Sequence, residues 1–97
     1  MRAQGVLDLR GLEAVLKGLA HRRRLRMLAV LSRHGEMPVG MLADTLRLPV
    51  KTVSRNLRIL ERAGLTISEP RGSFVYYSLR ADAPEFARAV IACVKAR

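Results

Sequence analysis

The sequence predicts a mainly α-helical domain that carries a small β-hairpin near its C-terminal end. In four separate segments between Leu9 and Leu60, apolar residues recur at intervals of three or four, as they do on the buried face of amphipathic helices. From Leu65 to Glu69 apolar residues instead alternate with polar ones, which is the period of a strand, and Phe74–Leu79 is rich in aromatic and β-branched residues. A chain of 97 residues is expected to form one domain, spanning 1–97.

Two helices are predicted in the N-terminal third. The first, over residues 7–20, has Asp8 placed to cap its N-terminus or to complement the helix dipole. Its leucines share one face: Leu9, Leu12, Leu16 and Leu19. The second helix runs from His21 to about Arg33 and is ended by Gly35.

Residues 39–62 predict two further short helices joined by a tight turn. Val39, Leu42 and Leu46 line one face of the first of these helices. Pro49 fixes its own φ and suits the first turn of a helix, so the next helix is expected to begin at about Val50. Three apolar residues of that helix face inward: Val53, Leu57 and Leu60.

The other face of this second helix carries a regular series of cations. They follow each other at intervals of three or four: Lys51, Arg55, Arg58 and Arg62. A charge run can be a solvated face, but here Thr52, Ser54 and Asn56 add short polar groups that can reach base edges or phosphates. Together with the preceding short helix and turn, this pattern predicts a helix-turn-helix whose second helix reads DNA.

A hairpin is predicted directly behind this recognition helix. Gly64 supplies the helix stop, Leu65–Glu69 and Phe74–Leu79 are strand-like, and residues 70–73 have turn chemistry. A hairpin in this place is a wing, so the fold is predicted to be a winged helix-turn-helix. Arg71 at the wing tip could contact the DNA backbone or minor groove, or it could be an ordinary exposed arginine.

The last helix is expected to begin at about Pro84 and is more apolar than the terminal helix of a monomer needs to be. We therefore expect both ends of the chain to pack across the two-fold axis of a homodimer, with two recognition helices about 34–36 Å apart in successive major grooves. The residues expected at that interface are Leu9, Leu12, Leu16, Phe86, Val90 and Val94.

The charge balance favours a polyanion as partner. The chain carries 18 Lys and Arg against 8 Asp and Glu, a formal net charge of +10, which fits nucleic acid or an anionic membrane surface. The cations concentrated on the recognition helix favour nucleic acid. A second block opens the second helix, where positive charge opposes the dipole, so either DNA phosphates or an acid elsewhere in the fold should compensate it. That block is Arg22, Arg23, Arg24 and Arg26.

Several classes of protein are not expected. No apolar run approaches the roughly 20 residues of a membrane span, and no signal peptide is visible, so we expect a cytoplasmic protein without membrane contact. No paired carboxylates, activated nucleophile or phosphate loop are present, which leaves no catalytic residues and argues against an enzyme.

Residues 16–79 resemble the ArsR/SmtB-type winged-helix repressors. The motifs that carry the resemblance are LKGLAHRRRLRML at the start, LADTLRLPVKTVSRNLRILERAGL in the middle and the wing ending in YYSL. The resemblance implies a homodimer that binds and represses a palindromic operator, often releasing it when an inducer binds. It places Lys51, Thr52, Ser54, Arg55 and Asn56 against DNA, with Asn56 where many members have histidine, and it maps the wing tip to Arg71 and Gly72.

The sequence departs from that family at the inducer site. Metal sensors of that family resemble one another in carrying paired cysteines, or pairs of Asp and His. Neither pattern is present here, and His21, His34 and Cys93 offer no obvious ligand set. No metal or other cofactor is expected. Cys93 could meet its symmetry mate as a thiol switch or could be a small buried hydrophobe, and an unknown inducer or protein partner stays open.

Two other functions fit the same composition. An architectural protein could coat DNA with little sequence preference, since +10 is ample charge for that purpose. A winged helix could also serve as a protein-interaction module that recruits another regulator through its apolar terminal helices. The leading interpretation is a sequence-specific repressor, with phosphate contacts from Arg22, Arg23, Arg24, Arg26, Arg58 and Arg71.

Overall fold

Residues 7–94, which the computed structural model describes, form five helices and three strands. Their order is α1 (Leu9–Leu19), α2 (Arg22–His34), β1 (Glu36–Pro38), α3 (Val39–Leu46), α4 (Val50–Arg62), β2 (Thr66–Arg71), β3 (Phe74–Leu79) and α5 (Glu85–Ala92). The mainly α-helical fold with a small sheet is thus confirmed. None of the described helices combines the length and the apolar character that crossing a membrane requires.

The ends of the first two helices follow from local hydrogen bonds. The carboxylate of Asp8 accepts from the backbone N–H of Gly11 at 2.7 Å and caps α1, as the sequence predicted. The Nδ1 of His21 accepts from the N–H of Arg23 and caps α2. Gly35 ends α2 with φ of 85°, a conformation that glycine adopts without strain.

The sheet contains a strand, β1, that the sequence pattern did not predict. β1 pairs antiparallel with β3, so that Met37 lies opposite Tyr77, and the strand order is β1-β3-β2. Three residues are too few to display a period of two, so β1 is visible only through its pairing with a strand far along the chain. Met37 is nevertheless buried, which anchors the start of α3 in the core.

The wing turn is shorter than predicted. Pro70 and Arg71 belong to β2, where they pair with Val75 and Phe74, so only Gly72 and Ser73 form the loop. Gly72 has φ of 61°, as the first position of a type II′ hairpin turn requires. Proline is tolerated because β2 is an edge strand of the sheet.

The core lies where α2, α3 and α4 meet the sheet. Its fully buried side chains include Met27, Leu28, Leu31, Leu42, Val53, Leu57, Leu60 and Leu65. α1 contributes Val15 and Leu19, and α5 contributes Ala87 and Ile91. The leucine stripe expected on α1 is therefore divided, because Leu19 is buried whereas Leu9 and Leu16 are 85% and 50% exposed.

The turn between α3 and α4 fixes how the two helices cross. Arg47 adopts a left-handed conformation, with φ of 57° and ψ of 47°, immediately after α3. The N–H of Leu48 then bonds to the carbonyl of Ala43 at 3.0 Å, which closes the helix end. Pro49 follows as the N-cap of α4, so α4 starts at Val50 as predicted.

Candidate nucleic-acid interface

α4 has one buried face and one cationic face. Its inner side inserts Val53, Leu57 and Leu60 into the core, and all three are fully buried. The cations of the helix are exposed: Lys51, Arg55, Arg58 and Arg62. Thr52 and Ser54 are half-buried at the border between the two faces. The predicted site residues on this helix therefore share one accessible surface, except for Asn56.

The N-terminus of α4 has unused hydrogen-bonding capacity. Pro49 makes no side-chain cap, and no acid stands in the first turn. The first backbone bond reaches from the N–H of Val53 to the carbonyl of Pro49 at 3.1 Å. Free N–H groups at the positive end of a helix dipole favour an anion such as a phosphate.

Asn56 does not lie on the exposed face, contrary to the role in base reading predicted for it. It is 8% exposed, and its side-chain amide is used within the chain. The Nδ2 donates to the carbonyl of Thr52 at 2.8 Å, and the Oδ1 accepts from Arg24 at 3.3 Å. This amide lies between α4 and α2, nearly buried and bonded to both elements.

The arginine block at the start of α2 divides in the same way. Arg24 is half-buried and donates to the carbonyls of Gly18 and Lys17 at 2.8 and 2.9 Å. Its charge therefore lies at the negative end of α1, which is a compensation by carbonyl groups and not by an acid of the fold. Arg22, Arg23 and Arg26 are exposed.

Arg71 is bound to the sheet and is not at the tip of the wing. Its guanidinium makes two bonds to the carboxylate of Glu36, at 2.5 and 3.0 Å, and a third to Glu69 at 2.9 Å. It also lies over the ring of Tyr76, 4.6 Å from the centroid. The bonds to Arg71 lower the pKa of Glu36, and those to Glu36 and Glu69 raise the pKa of Arg71. To reach DNA, Arg71 must first leave two carboxylates.

The terminal helices expose part of the apolar surface that was predicted to form a dimer. On α1, Leu9 and Leu16 are exposed and Leu12 is half-buried. On α5, Val90 is 39% exposed, whereas Phe86 packs against the core of its own chain. Val94 follows the end of α5 and is half-buried.

Cys93 directly follows α5 and is exposed, so in the single chain it is not the buried hydrophobe that the sequence allowed. Within residues 7–94, no three His, Cys, Asp or Glu side chains come together as a metal site would need.

Comparisons with known proteins agree with this geometry. A family profile described as a helix-turn-helix domain matches residues 19–69. The arsenic resistance transcriptional regulator ArsR1 of Pseudomonas putida is 35% identical over 77 residues, 79% of this chain and 60% of that protein. The chain belongs to the ArsR family of winged helix-turn-helix transcriptional regulators.

The chain is also similar to a second curated protein and to a solved structure. The arsenical resistance operon repressor of Escherichia coli is 32% identical over 77 residues, 79% of this chain and 66% of that protein. The present chain thus spans less than two thirds of the length of these two relatives. The homodimeric winged helix-turn-helix DNA-binding domain Mb0332 of Mycobacterium bovis, a possible ArsR-family regulator, has a TM-score of 0.75 and 30% identity, covering 95% of this chain and 84% of that one.

Proposed function

We propose that this ArsR-family protein is a transcriptional repressor that binds a palindromic DNA operator as a homodimer. The observation that carries the proposal is α4, whose apolar side is fixed in the core while its cations and uncapped N-terminus face outward. The Escherichia coli relative is named a repressor, and the Mycobacterium bovis domain is homodimeric, which supports both parts.

The side chains divide between base and phosphate contacts by their position. Thr52, Ser54 and Arg55 lie on the first two turns of α4, where a recognition helix meets base edges in the major groove. Lys51 and the free N–H groups beside it suit a phosphate. Arg22, Arg23 and Arg58 are exposed cations suited to the DNA backbone. Asn56 and Arg71 are assigned no direct contact, because both are bound within the chain.

The surface that a single chain leaves uncovered supports the proposed homodimer. Leu9 and Leu16 on α1 and Val90 on α5 are large apolar side chains exposed on the terminal helices. A partner copy would bury them, and a two-fold axis would duplicate α4. The spacing of the two α4 helices would then set the spacing of the operator half-sites.

Selection of bound duplexes from a random-sequence DNA pool tests this function. We expect enrichment of an inverted repeat whose half-site centres lie about 10 base pairs apart. Enrichment of no motif, with retention of all duplexes at low salt, would indicate an architectural protein. If the protein binds no duplex more tightly than an unrelated protein of the same net charge does, the result would indicate a protein-interaction module.

A further inference from the structure

A chain of hydrogen bonds joins the end of α1 to the recognition helix through one side chain. Arg24 uses Nε and Nη2 for the carbonyls of Gly18 and Lys17, and Nη1 for the Oδ1 of Asn56. Asn56 in turn donates to the carbonyl of Thr52, in the first turn of α4. The path therefore starts at the C-terminus of α1 and ends beside the proposed DNA-reading residues.

Close packing fixes the same two helices at a second point. Gly18 is buried, and a Cβ added to it would lie 3.4 Å from the Cβ of Ala63 and from the Cδ1 of Leu65. The last turn of α1 thus lies directly against the end of α4. One contact at the end of α4 and one at Asn56 together define the angle between the helices.

We propose that Arg24 is a positioning residue for DNA recognition, which holds α4 at a fixed angle to α1 through Asn56. The inference rests on the proposed function, because α1 carries the apolar surface assigned to the dimer. A continuous structural connection from the dimer axis to each recognition helix then runs through α1, Arg24 and α4. Its rigidity determines how well two copies of α4 fit two major grooves at once.

Arginine is suited to this role because its planar fork presents several donors in a fixed geometry. Lysine keeps the charge but is a single point donor on a flexible stem, so it cannot hold two carbonyls and an amide in the same arrangement. A change from Arg24 to Lys therefore leaves the charge of the protein unaltered and removes the hydrogen bonds that join the end of α1 to Asn56. Specific binding, which needs geometry, should fall, while charge-driven binding should not.

The first experiment compares Arg24→Lys with Arg33→Lys, a matched control on the exposed last turn of α2. Affinity is measured by fluorescence anisotropy on the selected operator and on a scrambled duplex. We expect Arg24→Lys to lose operator affinity by about tenfold, as a misplaced recognition helix should, and to bind the scrambled duplex within about twofold of wild type. Operator affinity equal to that of Arg33→Lys would overturn the proposal.

A double-mutant cycle tests whether Arg24 acts through Asn56. If Arg24 acts through Asn56, then Asn56→Ala alone should reproduce the loss, and the double variant should be no weaker than Arg24→Lys. Full additivity of the two losses would show that Asn56 and Arg24 act independently, which would contradict the inference.

Two controls keep the result interpretable. Asn56→Ala leaves the bonds from Arg24 to α1 in place, so it still tests this connection if Arg24→Lys fails to fold. Thermal unfolding of each variant sets a temperature at which all are folded. If the wild-type protein shows no preference for the operator, both the proposed function and this role of Arg24 are refuted. If the wild-type protein prefers the operator and the variants bind it equally well, only the role of Arg24 is refuted.

Discussion

At the scale of single residues, ion pairs with neighbouring carboxylates hold the side chain of Arg71 in the wing. Arg71 is shared between Glu36 on β1 and Glu69 on β2, so it ties the missed strand to the wing. The bonds from Arg71 lower the pKa of Glu36 below its ordinary value of 4.5. A carboxylate with a lowered folded-state pKa stabilises the fold above its unfolded pKa, and this contribution is lost as pH falls through the folded pKa.

We predict that Arg71→Ala raises the pKa of the Glu36 carboxyl back toward 4.5, because the donor that holds its charged form is removed. An NMR titration of the side-chain carboxyl in both proteins measures the change. Wild type should keep Glu36 ionised to a lower pH than the variant. An identical titration in the two proteins would show that the Arg71 bonds do not persist in solution.

Arg55 is the exposed cation of α4 that we propose for base readout. If it contacts guanine, Arg55→Ala should cost about 1–3 kcal/mol of operator binding and relax the preference at one base position. Arg58→Ala should instead weaken all duplexes alike, since Arg58 is assigned to a phosphate. Repeating the duplex selection with both variants measures this difference, and an unchanged motif for Arg55→Ala would refute the assignment.

At the scale of elements, the helices were predictable because their leucines and stops are local signals. Pro49 and Gly35 lie where the sequence placed the boundaries of α4 and α2. β1 was missed because three residues carry no period. Asn56 lies three residues after Val53 and four before Leu60, so the helical period itself places it beside the buried face, and its burial was missed because only the chemistry of its amide was considered. Its partner Arg24, 32 positions away, could not be predicted from the sequence.

The α3–α4 turn stores a small conformational cost at Arg47, whose φ is 57°. A residue with a Cβ pays roughly 1–2 kcal/mol in the left-handed region, and glycine does not. We predict that Arg47→Gly is more stable than Arg47→Ala by about 1 kcal/mol, since both variants lack the arginine side chain. Chemical denaturation of the two measures the difference. Greater stability of the alanine variant would mean that Arg47 is not left-handed in solution.

At the scale of the whole molecule, the proposed dimer rests on α1. Leu9 and Leu16 are exposed in the single chain, so replacing both by Glu removes no core packing and places charges on the proposed interface. We expect the double variant to stay folded, to sediment as a monomer and to lose operator affinity. Sedimentation velocity and circular dichroism together measure this. A folded variant that remains dimeric would place the interface elsewhere.

The fold class and the cationic helix were readable from the sequence because they depend on period and charge. The side-chain contacts between elements could not be predicted from the sequence, because they join residues far apart in the chain. Arg24 contacts Asn56 across 32 positions, and Arg71 contacts Glu36 across 35. In each contact, a residue that the sequence had assigned to DNA is bound within the chain: Asn56 in the first and Arg71 in the second.

Binding to the selected operator and to a scrambled duplex at several salt concentrations tests the central claim, that α4 reads a DNA sequence. We predict a preference for the operator of about 10³ or more that persists as salt weakens both affinities. Equal affinities that vanish together with rising salt would contradict the account and leave the net charge of +10 as the sole basis of binding.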